Sequence, residues 1–385
     1  MMSKQAVAVM TLALTLGAAS VPHAAAAQLP SASTAPLATA NNYTALARGF
    51  TAIALNPAGL GMPDNPGFSL TFLPVQARAG LNAISVADLN EFEGLLIPTE
   101  TKEEWLGAVT DMGSLTTRAG VGVTYLALSA GSIGLQVSTV GELSASLGPD
   151  AFELLLFGNA GRTGTTRNMT LAGTGADGWL ATTGAVSYGL SVGGGNDTNM
   201  AIGATVKYTV GHAVASVRDQ GSTISSNPIL IDLAIPIIAP DSFTVENGTG
   251  VGLDLGFAWE GQTFTVGASL ENVVNTFQWE IGNMAFLPGT VYADQDSTST
   301  NFDSQAVTGA PTSMQDAILA QEFKPAINIG VAFHPSDRFA ITADLRKDNG
   351  ETLMIGEGSH IGIGAELRLL PFLPLRGGVS RIEGG

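Results

Sequence analysis

Apolar residues alternate with small or polar residues along several segments in the second half of the chain. In residues 251–259, Leu253, Leu255 and Phe257 fall on one face, while Asp254 and Gly256 fall on the other. The same alternation recurs in residues 264–270, 327–334, 339–346 and 361–369. Because successive side chains of a strand point to opposite faces, the pattern predicts β-strands with one apolar face and one face of glycine and polar residues.

Two architectures place such strands differently, a soluble secreted β-sandwich and a transmembrane β-barrel. The polar face carries charged residues that we expect to face a lumen, and these are Lys207, Asp254, Asp344, Arg346, Glu366 and Arg368. The opposite face is almost purely apolar, which water would not tolerate over so many strands. Tight connections at 260–262, 335–338 and 371–374 also alternate with long polar ones at 271–324 and 347–359. Both features favour an all-β, transmembrane antiparallel barrel with short turns at one end and long loops at the other.

The first residues have the pattern of a secretory signal peptide. A short positively charged start is followed by the apolar run 6–19, then Pro22 and a tract of alanines that offers cleavage sites. The run is shorter than the roughly 20 apolar residues of a membrane-spanning helix. We therefore expect residues 1–27 to be a signal peptide, 28–66 an N-terminal plug and 67–385 the barrel, in a bacterial outer membrane with its lipid as partner.

Strand parity also predicts that the C-terminal strand or strands are missing from the chain, because closed barrels normally have an even number of strands.

Two segments have helical rather than alternating spacing. One is an insertion at about 81–110, broken by Pro98, and the other is residues 149–157, which Pro149 and Asp150 open. Each is expected to plug the lumen, to lie at a barrel mouth or to be a surface insertion between strands.

Composition excludes several classes of function. Lys and Arg number 16 and Asp and Glu 33, a net charge of −17 without any basic run, so nucleic acid is not an expected partner. The chain has no Cys, and its mature part has three isolated His residues, expected in solvated turns. Neither a hydrolase elbow nor a dinucleotide fingerprint occurs in a fitting context. We therefore expect no enzyme activity, no cofactor and no metal site. A weak calcium site formed by Asp294, Asp296 and Asp303 stays open as an alternative.

Residues 42–62 contain a motif that resembles a known family. The motif consists of Asn56, Pro57, Ala58, Gly59 and Leu60, and it precedes the first strand. This motif resembles the N-terminus of FadL-type outer-membrane transporters, the superfamily of FadL, OMPP1 and TodX, and their PorV-type relatives. Residues 149–159, 250–273 and 366–378 resemble an uncharacterised branch of the same superfamily. The resemblance implies a barrel of about 14 strands, in agreement with a length estimate of roughly 13 to 16, with the motif in a plug inside the lumen. Within the motif, Pro57 fixes φ, Gly59 permits a left-handed turn and Asn56 caps the turn.

The resemblance leaves two functions open. The first is passive transport of small hydrophobic molecules across the outer membrane, with a hydrophobic ligand bound beside the plug. The second is a PorV-like scaffold that binds secreted proteins, for which residues 281–288 are the candidate exposed apolar surface.

Overall fold

The computed structural model describes residues 29–195, 197–242, 245–348, 359–370 and 373–382. The predicted signal peptide, residues 1–27, lies outside the described residues. The helices are α1 (Thr34–Ala38), α2 (Phe50–Leu55), α3 (Val86–Glu91), α4 (Thr99–Met112), α5 (Pro149–Phe157) and α6 (Thr312–Leu319), with 3₁₀ turns at Pro57–Gly61, Ile281–Asn283 and Val307–Gly309. The strands are β1 (Phe68–Phe72), β2 (Val75–Leu81), β3 (Leu115–Ala130), β4 (Ile133–Leu147), β5 (Met169–Thr170), β6 (Gly175–Gly193), β7 (Asn199–Arg218), β8 (Thr223–Ser226), β9 (Ile229–Ala234), β10 (Ile237–Pro240), β11 (Gly248–Glu260), β12 (Phe264–Asn275), β13 (Gln278–Trp279), β14 (Met284–Leu287), β15 (Thr290–Ala293), β16 (Thr298–Asn301), β17 (Gln305–Ala306), β18 (Ala326–Ser336), β19 (Phe339–Asp348), β20 (His360–Leu370) and β21 (Leu373–Ile382).

The long strands form one antiparallel sheet, the wall, in the order β1-β3-β4-β6-β7-β11-β12-β18-β19-β20-β21. β1 and β2 pair in succession with the two halves of β3, so together they act as one broken strand. Within the described ranges the hydrogen-bonded ring is not closed between this broken strand and β21. Among the described residues the wall has eleven strand positions, with β1 and β2 counted as one. Long connections such as 276–325 contain short strands of their own.

Connections of two lengths alternate along the wall, as the sequence predicts. Short turns at 131–132, 194–198, 261–263 and 337–338 lie at one end, the turn end. Longer connections at 82–114, 148–174, 219–247 and 276–325 lie at the other, the loop end, where β5, β8, β9, β15 and β16 form a separate small sheet. The predicted loop 347–359 and turn 371–374 lie partly outside the described residues.

The two faces of the wall have the polarity expected from the alternation. On β11, Val251 and Leu255 are 45% and 40% exposed on the outer face, whereas Asp254, between them in sequence, is 4% exposed on the inner face. The outer face carries a belt of exposed apolar side chains on every side, including Val121, Leu135, Val186, Tyr208, Val331, Ile341 and Ile363. The inner face buries hydroxyl, amide and charged side chains, including Thr124, Gln136, Ser187, Thr205, Asn328 and Glu366. This polarity is the reverse of that of a water-soluble sandwich, and the predicted antiparallel barrel wall is confirmed.

The helical insertions follow the sequence prediction closely. Pro98 precedes α4, and α3 begins with a capping box in which Ser85 and Asp88 bond each other's backbone amides. Trp105, Leu106 and Val109 of α4 pack with Phe152 of α5 in one apolar cluster. That cluster packs on Leu115 of β3 and Leu147 of β4 at the loop end, on the face of β4 that also carries Leu143. No helix among the described residues is both long enough and apolar enough to cross a bilayer.

Candidate functional site: the hatch and the lumen

Residues 29–66, here called the hatch, run along the inner face of the wall. Gln76 of β2 donates to Ser31 Oγ at 2.9 Å, and Thr39 lies against Gly378 of β21. The hatch therefore bridges the two open edges of the wall through α1. The segment lies on the inner face of the wall, and the plug role expected for residues 28–66 stays a prediction.

Glycines on the inner face leave room for the hatch backbone to lie close to the wall strands. A Cβ added at Gly267 would lie 2.6 Å from Thr44 O, and one added at Gly189 would lie 2.7 Å from Leu60 Cβ. Equivalent crowding by hatch atoms occurs on most wall strands, at Gly134, Gly203, Gly256, Gly330, Gly362, Gly364 and Gly378. Any side chain at these positions would push the hatch off the wall, so the glycines of the alternating pattern form a fitted track.

The motif Asn56 to Leu60 is the centre of the hatch. Pro57–Gly61 is a 3₁₀ turn, and Asn56 Oδ1 accepts from Ala58 N at 3.2 Å, as predicted for a cap. Asn56 Nδ2 reaches the wall and donates to Phe257 O at 3.0 Å. Asn56, Ala58 and Leu60 are 1%, 0% and 2% exposed. The side chain of Asn56 therefore fixes both the turn and its position on β11.

The predicted left-handed turn at Gly59 is wrong. Gly59 lies within the 3₁₀ turn, and its lack of a side chain matters because a Cβ there would collide with Ala47 O. The hatch glycine with positive φ is instead Gly49, at 58°, where a Cβ would also meet Ser69 Oγ of β1 at 2.5 Å, and Ala32, Ala40 and Asn41 of the hatch have positive φ as well. The glycine requirement of the motif is thus steric rather than conformational.

Buried charges of the lumen form an ionic network beside the hatch. Lys207 of β7 lies 2.6 Å from Asp254 of β11, and its ammonium also donates to Asn272 Oδ1 at 2.5 Å. Arg346 of β19 contacts Glu271 of β12 at 2.9 Å and Asp348 at 2.8 Å. These side chains are at most 7% exposed. Buried and mutually paired, they tie β7, β11, β12 and β19 together across the inner face.

The remaining predicted lumen charges have other partners. Asp344 Oδ2 accepts from Thr44 N of the hatch at 2.8 Å, so this carboxyl group holds the hatch rather than a neighbouring cation. Glu366 is buried and pairs with Arg368 at 2.7 Å and Arg376 at 2.6 Å. The side chain of Arg368 is 58% exposed at the turn end, so it lies at the rim and not deep in the lumen.

Sequence reasoning missed Glu271 and Asp348, which complete the network. Both continue an alternation already recognised, Glu271 after Thr265, Gly267 and Ser269, and Asp348 after Arg346. Extending each strand by two residues would have found them.

A polar cavity of about 330 Å³ opens between the hatch and the wall at the turn end. Its lining includes Tyr43, Arg48 and Asp64 of the hatch and Glu260, His334 and Arg368 of the wall. Arg48 contacts Asp64 at 2.5 Å and Glu260 at 3.4 Å, so one guanidinium joins the middle of the hatch to its C-terminal end and to β11. This cation is one link between hatch and wall at the turn end, and Asn65 Nδ2, which donates to Gly131 O at 2.8 Å, is another.

The loop-end half of the lumen is apolar. Trp179 of β6 and Val214 of β7 face inward there and meet Phe277, Trp279 and Phe323 from the connection 276–325. The rings of Trp179 and Phe323 lie 5.6 Å apart, edge to face, and those of Phe277 and Phe323 lie 5.0 Å apart. We call this cluster, with Met314 and Ile318 of α6, the aromatic compartment. It places aromatic side chains above the hatch, inside a wall that is otherwise polar on its inner face.

The expected exposed surface at residues 281–288 is wrong. Met284, Ala285 and Phe286 are 3%, 5% and 7% exposed, because β14 pairs with β10 and β17 and turns these side chains into the aromatic compartment. The burial of these side chains is determined by the long-range pairing of the loop strands, which no local pattern in the sequence indicates.

The isolated His residues and the acidic loop make structural contacts. His212 Nδ1 donates to Val245 O and its Nε2 accepts from Thr182 Oγ1, both at 2.6 Å. His360 is buried on the inner face, at 7% exposure, and is not in a solvated turn. Asp294 accepts from the backbone of Asp296 and Ser297 and thereby closes a turn. In the described part of the chain, no three His, Asp or Glu side chains converge to hold a metal ion.

Comparison with known proteins gives likenesses of structure alone. No protein-family model and no curated protein sequence matches the chain. Among solved structures it is similar to the toluene transporter TodX of P. putida, with 12% identity over 80% of this chain and 70% of that one, at a TM-score of 0.36. A TodX mutant described as a monoaromatic hydrocarbon channel matches with 10% identity over 70% of this chain and 67% of that one, at 0.33. A FadL homologue of Pseudomonas aeruginosa matches with 8% identity over 93% of this chain and 90% of that one, at 0.24. These neighbours are of the FadL and TodX type that the sequence resemblance names, and at such TM-scores they carry no argument about function.

Proposed function

We propose that the protein is an outer-membrane barrel that passes small hydrophobic molecules through its lumen. The observation that carries this proposal is the aromatic compartment, because polar lumens serve water-soluble solutes and an apolar one serves apolar cargo. The apolar belt on the outer face supports the membrane location, since an exposed surface of this extent is stable only against lipid.

Several aromatic side chains of the compartment belong to a loop, and movement of this loop would admit cargo. Phe277, Trp279 and Phe323 belong to the two ends of the connection 276–325, whereas Trp179 belongs to the wall. Trp279 Nε1 donates to Gln321 O at 2.9 Å, which clips the two ends of this connection together. A small shift of the clipped loop would open space between wall and loop, and an apolar molecule can replace the displaced side-chain contacts at little cost.

Release toward the turn end requires movement of the hatch. The hatch lies on the inner face below the compartment and is held by polar groups, among them Asp344 on Thr44 N, Arg48 on Glu260 and Asn56 on Phe257 O. These contacts are not part of the strand pairing, so the wall can keep its pairing when they break and the hatch shifts. The pathway we propose therefore has two stages, a bound stage in the aromatic compartment and a released stage after the hatch moves.

The proposal is tested by uptake at low concentration in cells whose outer membrane excludes the probe. Radiolabelled toluene, a small apolar molecule, should enter faster and saturably when the protein is present. The variant Phe323→Ser with Trp179→Ser should abolish the saturable part, whereas Thr300→Ser, in the exposed strand β16, should leave it unchanged. Heat-modifiable migration verifies that each variant folds. Equal uptake with and without folded protein would refute transport of this class of cargo.

The scaffold alternative loses its specific support in this structure. It required exposed apolar loops, and Met284, Ala285 and Phe286 of the candidate segment 281–288 are buried. Capture of a secreted protein by a variant with an intact lumen, together with absent uptake, is the outcome that would restore it.

A further inference from the structure

The connection between α3 and α4 presents two fully apolar side chains to the surroundings. Leu95 is 67% exposed and Leu96 is 97% exposed, in the segment 94–98 that joins the two helices. Leu155 of α5, the second helical insertion, is 72% exposed. We call residues 94–98 the leucine tip. A folded domain surrounded by water has no reason to hold adjacent leucines in this way.

The base of this insertion stands on the lipid-facing side of the wall. The cluster of Trp105, Leu106, Val109 and Phe152 packs against Leu115 of β3 and Leu147 of β4, which face each other in register. Leu147 lies four residues from Leu143, which is 55% exposed on the outer face, and β4 keeps its register with β6 over this stretch. Because side chains at even spacing share a face, Leu147 and Leu143 point the same way.

The insertion therefore continues the apolar belt at the loop end. Leu147 lies on the same face of β4 as the belt residue Leu143, the cluster of Trp105 and Phe152 packs on Leu147, and Ile97 of the leucine tip packs on that cluster. Acidic side chains flank the tip, with Glu93 and Glu100 both exposed. Charges in these positions would remain at the headgroups and limit how deeply the tip enters.

We propose that the leucine tip inserts into the acyl region of the membrane leaflet at the loop end, as a shallow anchor beside the barrel. This inference rests on the proposed barrel function, because it takes the outer face of the wall to be the lipid boundary. The occupant is lipid hydrocarbon, and continuity with the belt is the observation that selects it.

The absence of Cys in the chain allows a direct test with single-cysteine variants in phosphatidylcholine vesicles. Leu96→Cys reports the tip, Val186→Cys reports the belt, and Asn90→Cys, exposed on α3, is the matched polar control. Each is labelled with an environment-sensitive fluorophore and exposed to lipids that carry a nitroxide at a shallow or a deep acyl position. We expect at least twofold quenching at Leu96, stronger with the shallow nitroxide, similar or greater quenching at Val186, and little at Asn90.

The outcomes separate the anchor from the barrel. Quenching at Val186 without quenching at Leu96 overturns the anchor and leaves the barrel standing. Loss of quenching at both positions overturns the barrel and the anchor together. A label at Leu96 that is shielded from lipid nitroxide and also from aqueous iodide shows that protein covers the tip, which likewise overturns insertion into lipid.

Discussion

Replacing Asp254 with Asn removes the negative partner of an ammonium group that has no access to water. Lys207 has a side-chain exposure of 0%, and its Nζ lies 2.6 Å from Asp254. Removing one partner of a buried pair costs about 3–5 kcal/mol, because the other charge is left uncompensated. Asn272 Oδ1 still accepts from Lys207 in the variant, so we expect the lower end of this range, about 3 kcal/mol.

The assay is urea unfolding in detergent micelles, followed by heat-modifiable migration and by tryptophan fluorescence. Asp303→Asn, in the exposed connection 276–325, is the charge-matched control and should leave the unfolding midpoint unchanged. The double variant Lys207→Met with Asp254→Asn removes both charges and should recover most of the lost stability. A loss below about 1 kcal/mol for Asp254→Asn, or a double variant less stable than the single one, would refute the reasoning.

Three further predictions concern the hatch and the loop end. Gly59→Ala should distort the hatch and raise leakage of small solutes through a wall that still folds, whereas Gly67→Ala, where a Cβ has open space, should not; equal leakage would contradict the steric requirement at Gly59. Deleting residues 42–60 should raise permeability further, and unchanged permeability would reduce the hatch to a leader segment. The guanidinium of Arg167, hydrogen-bonded to Asp150, lowers the pKa of that carboxyl group. This contact therefore stabilises the loop end above the ordinary carboxyl pKa and is lost as pH falls through the lowered value. Hydrogen exchange of α5 should rise in that acid range, and Arg167→Ala should remove the dependence on pH.

Local alternation was sufficient to predict the wall. A period of two depends only on which face each residue joins, so Leu255 and Asp254 could be assigned to opposite faces without any knowledge of their neighbours. The same holds for the helices, since Pro98 and the capping box at Ser85 act within one turn of chain.

The contacts of the lumen could not be predicted because they join residues far apart in sequence. Asp344 bonds a backbone amide 300 residues away, and Arg346 finds its partner on β12 rather than on the adjacent strand β20. The burial of Met284 and Phe286 likewise depends on pairing between loop strands that no local pattern specifies. Sequence therefore predicts which faces are polar, whereas the partners within each face are determined by tertiary packing.

The central claim, that the outer face meets lipid, is tested most directly by placing arginine on two exposed apolar positions. Leu255, 40% exposed, lies on the belt, and Ile229, 58% exposed, lies in the loop-end strand β9. In lipid, Leu255→Arg should lower the free energy of unfolding by about 2–4 kcal/mol, whereas Ile229→Arg should leave it almost unchanged. Equal effects at the two positions would contradict the account, because water would then surround both.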